Sequence, residues 1–159
     1  MGYSFGVNSS IQLQSCHLDL QKILEGAISI SPIDFGIAQG HRPVEIQQEY
    51  YAIGRTKELH RKPITNIDGV NKVGKHNKTP SEAADIYIYH PVKKTRLKIA
   101  YDNVHLAYVQ GIIHAVAQKL YNHAEITHLI RWGGNWDGDG IIMFDQSFQD
   151  LPHIELVKP

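Results

Sequence analysis

Asp85-Ile86-Tyr87-Ile88-Tyr89, closed by His90-Pro91, is the stretch on which the fold turns. Asp85, Tyr87 and Tyr89 share one face, and Ile86 and Ile88 share the other. That alternation predicts a strand, stopped by Pro91. Downstream, Leu106, Val109, Ile113, Val116 and Leu120 recur at helical spacing and predict one long helix from about Asp102 to Tyr121. Two short strands follow, His128 to Trp132 and His153 to Val157, separated by a glycine-rich turn and no helix. Upstream, Leu20, Ile23, Leu24, Ala27 and Ile28 predict a helix from about Ser15, with Ser15 as its cap. Ile33, Phe35 and Ile37 alternate in a strand ending at Gln39-Gly40-His41-Arg42, and Pro43 opens a helix to about Ile53. Helices and strands do not alternate as βαβ units. The expectation is an α+β fold, a small and mainly antiparallel sheet with helices packed on it. No repeat or Pro/Ser-rich linker interrupts residues 1–159, which read as a single domain with its core at about 15–157.

Composition narrows the function. Sixteen Lys plus Arg balance sixteen Asp plus Glu, so there is no basic footprint for nucleic acid. Apolar runs are only a few residues long, which excludes membrane insertion. Met1 to Ser10 lacks a basic segment followed by an apolar one, so no signal peptide is expected. The one cysteine, Cys16, excludes an internal disulfide framework, and no base stands beside it to make it a nucleophile. Ten histidines are the unusual feature.

Most of them read as ordinary polar residues. His105, His114 and His123 fall off the apolar stripe of the long helix, and His17, His60, His90 and His128 have no partner at a useful spacing. His76 lies in a loop leading to Asp85, and His153 opens a strand after Pro152. Two imidazoles, one carboxylate and a water make a catalytic zinc site if the strands are neighbours. The other reading is three unrelated polar residues, and spacing alone favours it. Asp150 could serve as a base beside the bound water, or be a solvated loop acid. Arg42 could hold a developing oxyanion, or pair with Glu45 at the surface. Trp132 and Trp136 could wall a cleft, or be one core and one half-buried aromatic. Asp137-Gly138-Asp139-Gly140 lacks the ligand series of an EF-hand and reads as a turn.

The order of blocks resembles the zinc peptidases that include D-alanyl-D-alanine carboxypeptidases and phage L-alanyl-D-glutamate endolysins (the VanY-like, M15 peptidases). Gly40-His41-Arg42 is followed by Lys75-His76-Asn77-Lys78-Thr79-Pro80-Ser81-Glu82-Ala83-Ala84-Asp85, by Trp132-Gly133-Gly134-Asn135-Trp136, and by Asp150-Leu151-Pro152-His153-Ile154-Glu155-Leu156. The His76 and Trp132 blocks look most like the phage branch. The resemblance implies that His76, Asp85 and His153 bind zinc, that Asp150 is the general base, and that Arg42 is a substrate and transition-state arginine. It implies a Hedgehog/DD-peptidase-like fold and a peptidoglycan stem peptide as substrate, with the L-Ala–D-Glu bond favoured. D-Ala–D-Ala carboxypeptidase action and a non-catalytic zinc-binding domain are the alternatives. A monomer made in the cytoplasm of a phage-infected bacterium, reaching the wall after release, completes the expectation. Gln39, Gly74 and Asn135 depart from residues common in the family.

Overall fold

A computed structural model describes residues 2–159. The helices are α1 (Val7–Gln14), α2 (Leu18–Ile30), α3 (Val44–Ala52), α4 (Lys93–Ile99) and α5 (Asn103–Asn122), and a single 3-10 turn spans Lys75–Asn77. The strands are β1 (Phe35–Gln39), β2 (Ala83–Ile88), β3 (Leu129–Gly133) and β4 (Asp150–Val157). They form one sheet in the order β1-β2-β4-β3, and every pairing is antiparallel. This is the α+β architecture expected from the sequence.

The period-2 pattern sorts the two faces. Ile86 and Ile88 of β2, Ile154 and Leu156 of β4, and Phe35 and Ile37 of β1 are all buried in one core. α2 and α5 supply the other half of it. Leu20, Ile23, Leu24 and Ala27 meet Leu106, Val109 and Ile113, and all seven are at most 1% exposed. Burial of each large aliphatic side chain contributes about 1.5–3 kcal/mol relative to exposure. The opposite face of the sheet carries Asp85, His153 and Glu155.

Several local expectations are corrected. The helix expected from about Ser15 starts instead at Leu18, because the chain turns at Ser15-Cys16-His17. His17, not Ser15, caps α2: its Nδ1 accepts from the Asp19 amide at 3.0 Å. Ser15 Oγ instead donates to the Gln12 carbonyl and accepts from the His41 amide. β4 starts three residues earlier than expected, at Asp150. α1 and α4 were not anticipated; α1 buries only Ser9 and Leu13, and α4 buries none of its residues.

The long connection from α3 to β2 is tied down by α3. Gln47 is 2% exposed and donates to the Ile67 carbonyl at 2.8 Å, while Arg55 donates to the Thr65 carbonyl at 2.9 Å. It passes over the sheet face opposite α2 and α5, and so roofs the site.

Candidate metal centre

Three strands align one transverse row. Asp85 stands opposite Gln39 of β1 and opposite His153 of β4. Residues directly opposite in antiparallel strands project to the same side, so Asp85 and His153 meet. His76 reaches them from the 3-10 turn, which is laced to the end of β1: the Arg42 amide donates to the His76 carbonyl, and Asn77 donates back to the Arg42 carbonyl. Gly40 lets the end of β1 pack against the end of α1, since a β-carbon there would lie 2.3 Å from the Gln12 carbonyl oxygen.

Each imidazole has one nitrogen committed elsewhere. His76 Nδ1 donates to the Gly40 carbonyl at 2.7 Å, and a carbonyl can only accept. His153 Nε2 donates to Glu155 Oε2 at 2.9 Å. The lone pairs of His76 Nε2 and His153 Nδ1 therefore face inward, 3.2 Å apart, and Asp85 Oδ1 lies 3.2 Å from the first and 3.1 Å from the second. Three electron-rich atoms this close repel unless a proton or a metal ion sits among them. A tetrahedral ion bound at about 2.0–2.1 Å separates its ligand atoms by roughly 3.3–3.4 Å, so the triangle has the right size and donor set for zinc. The titration behaviour follows from the same crowding. Burial opposes charge on His153, but its bonds to Asp85 and Glu155 overcome that and raise its pKa to about 9. Burial would raise the Asp85 pKa, yet His153 and His76 hold it well below the carboxylate range.

Asp150 and His153 are three residues apart, which in a regular strand would put them on opposite faces. The β3–β4 register is irregular here: Trp132 pairs with Ile154, while the next residue, Gly133, pairs with Asp150. Such irregularities re-aim side chains, and both residues line the same 550 Å³ cavity. Gly133 is required at the contact, because a β-carbon would lie 2.0 Å from the Asp150 carbonyl oxygen. Burial, and then the charge of Asp85, raise the Asp150 pKa.

Arg42 does not pair with Glu45. Nε and an Nη of its guanidinium donate to Gln39 Oε1 at 2.8 and 2.6 Å, and the other Nη donates to Gln47 Oε1 at 2.9 Å. It also lies 3.5 Å from Asp85 Oδ2. The neutral Gln39 thus grips Arg42 through two donors. Trp132 is core, with its Nε1 donating to the Leu151 carbonyl; Trp136 walls the cavity, its ring 5.5 Å from that of His153. Asn135 Oδ1 is buried without a hydrogen-bond partner.

Two other clusters differ in kind. His17 and His128, expected to be isolated, gather around Asp19. There Asp19 Oδ2 accepts from the Thr127 and His128 amides and from His128 Nδ1, while His17 Nδ1 caps α2. The inward atoms are already paired, so this cluster is a brace between α2 and β3. Asp137, Asp139 and Asp145 come together on the exposed loop, where Asp137 and Asp139 accept from amides two residues on and form the expected turn. Sequence reasoning assigned no role to Glu155, Gln39 or Gln47. Glu155 was within reach, because it lies two residues past His153 on the same strand face.

The sequence matches the family described as phage L-alanyl-D-glutamate peptidase over residues 1–157. The chain belongs to that family. It is 41% identical over 54 residues to an L-alanyl-D-glutamate peptidase of Escherichia phage T5, a stretch covering 34% of this chain and 39% of that relative. In fold it is similar to the crystal structure of the Serratia marcescens L-Ala D-Glu endopeptidase ChiX, with a TM-score of 0.65, 18% identity, and coverage of 98% of this chain and 91% of that one. No helix among the described residues is long and apolar enough to cross a membrane.

Proposed function

We propose that this family member is a zinc-dependent peptidase that cleaves the L-alanyl–D-glutamate bond of peptidoglycan stem peptides. The observation that carries the reading is the convergence of His76 Nε2, His153 Nδ1 and Asp85 Oδ1 at 3.1–3.2 Å, three atoms that a metal ion would bind in place of the proton shared among them. These three would hold zinc and leave a fourth position open for water. When bound, zinc supplies Lewis acidity toward the scissile carbonyl and lowers the pKa of a water to about 7. The chain's own groups do the rest. Asp150, with its raised pKa, takes the proton of the attacking water and returns it to the leaving amine. Arg42, oriented by Gln39 and Gln47, aims its remaining donors at the oxyanion. Trp136 and the roof formed by residues 63–67 bound the peptide and limit water.

Every group in this scheme comes from one chain, which supports action as a monomer. The route to the wall, from the cytoplasm of an infected bacterium after release, is part of the same proposal. The test is mass spectrometry of fragments released from purified peptidoglycan. Stem peptides with a new N-terminal D-Glu, and glycan strands retaining L-Ala, are expected. Release of terminal D-Ala alone would assign carboxypeptidase action, and no release at all would leave a non-catalytic zinc-binding domain.

A further inference from the structure

We propose that Glu155, braced by Arg131, is a positioning residue that fixes which ring nitrogen of His153 faces the metal. The inference rests on the zinc reading above. Glu155 follows His153 by two residues on β4, so both side chains leave the same face. Oε2 of Glu155 accepts from His153 Nε2 at 2.9 Å, and its Oε1 accepts from Arg131 Nε at 3.0 Å. Arg131 stands directly opposite Glu155 across the β3–β4 ladder. The Glu155 side chain is only 8% exposed, and a carboxylate is rarely buried this far without directed partners.

The consequence is orientation. Turning the His153 ring over would put a carbon where Nδ1 now faces Asp85, and a C–H against the Glu155 carboxylate. Arg131 holds that carboxylate in place, and its guanidinium lies 5.7 Å over the ring of Trp136, which in turn lies against His153. His76 has the equivalent restraint from the Gly40 carbonyl, a main-chain group that substitution does not remove. The two histidines are therefore tethered differently, and only the tether of His153 can be cut by mutation.

The experiment uses the full chain, stripped of metal and titrated with Zn2+ against a chromophoric chelator, with the Co2+ visible spectrum as a probe of ligand geometry. Glu155→Ala is expected to weaken Zn2+ binding by about 10- to 100-fold and to change the Co2+ spectrum. Glu155→Gln keeps an acceptor for Nε2–H and is expected to recover part of the loss. A brace between strands and nothing more would lower the thermal stability of the metal-free protein while leaving Zn2+ affinity and the Co2+ spectrum unchanged, and that result overturns the proposal. Should Glu155→Ala not fold, Glu155→Asp, one methylene shorter, decides the question by the same titration. Wild-type protein that binds no Zn2+ would remove the zinc reading itself, and this inference with it.

Discussion

His76 and His153 face one another through unlike nitrogens, Nε2 against Nδ1 at 3.2 Å, although 77 residues separate them in the chain. The outer nitrogen of each is held by a hydrogen bond, to Gly40 and to Glu155 respectively. A metal ion held between them, as proposed above, would bind only the folded state, and a ligand bound only by that state adds to its stability.

Zinc at a hundred times its dissociation constant is expected to stabilise the wild type by about 2.7 kcal/mol. For a chain of this size that shifts Tm by on the order of 5–10 °C. His153→Ala and His76→Ala should lose both the shift and the activity. Calorimetry with and without zinc checks this, and a folded His153→Ala protein with full zinc occupancy contradicts the ligand assignment.

Asp150→Asn keeps shape and removes the proton acceptor. Zinc stoichiometry should stay at one while hydrolysis falls by at least about a hundredfold. Both are measured on one sample: lost zinc would make Asp150 a ligand, and retained turnover would take it out of the mechanism.

Arg42→Lys keeps the charge and loses the planar fork that Gln39 and Gln47 grip. A fall of roughly ten- to a thousandfold in kcat/KM is expected, with zinc content unchanged. Near-normal kinetics for both Arg42→Lys and Arg42→Ala would return Arg42 to a structural role.

Asp19→Ala strips the acceptor from the Thr127 and His128 amides, at a cost of about 1–3 kcal/mol. Burial alone would raise the Asp19 pKa, but hydrogen bonds from His128 and Thr127 bring it below 3.8. A carboxyl depressed by folding stabilises above its unfolded pKa, and that stability fades as pH falls through the folded value. The gap between wild type and variant should be full at neutral pH and narrow below about pH 4. Denaturant titrations across that range test it; a gap independent of pH would mean the carboxylate charge contributes nothing.

The buried Cys16 thiol, pushed up to about 11 chiefly by burial, should resist alkylation in the native protein at pH 8 and react promptly once unfolded. Rapid native labelling would show that the turn joining α1 and α2 opens.

What was legible in the sequence was local and periodic. The stripe from Leu106 to Val116 and the alternation at Ile86 and Ile88 follow directly from burial on one side. α4 buries nothing, so its sequence carries no stripe to find. His17 capped α2 although Ser15 is the residue type that propensity favours, because Ser15 is engaged with Gln12 and His41. The centre itself was legible only as blocks resembling a family, since no spacing rule joins His76 to His153. The Asp19–His128 pairing, 109 residues apart and outside any motif, left no trace in the sequence.

The strand last in sequence, β4, is not at an edge but between β2 and β3. Synthesis runs from the N-terminus, so β3 waits without its sheet partner until residues 150–157 emerge from the ribosome. That same strand brings Asp150, His153 and Glu155. A chain that stops before residue 150 therefore has neither a finished sheet nor the complete His76–Asp85–His153 triangle, and one strand completes both.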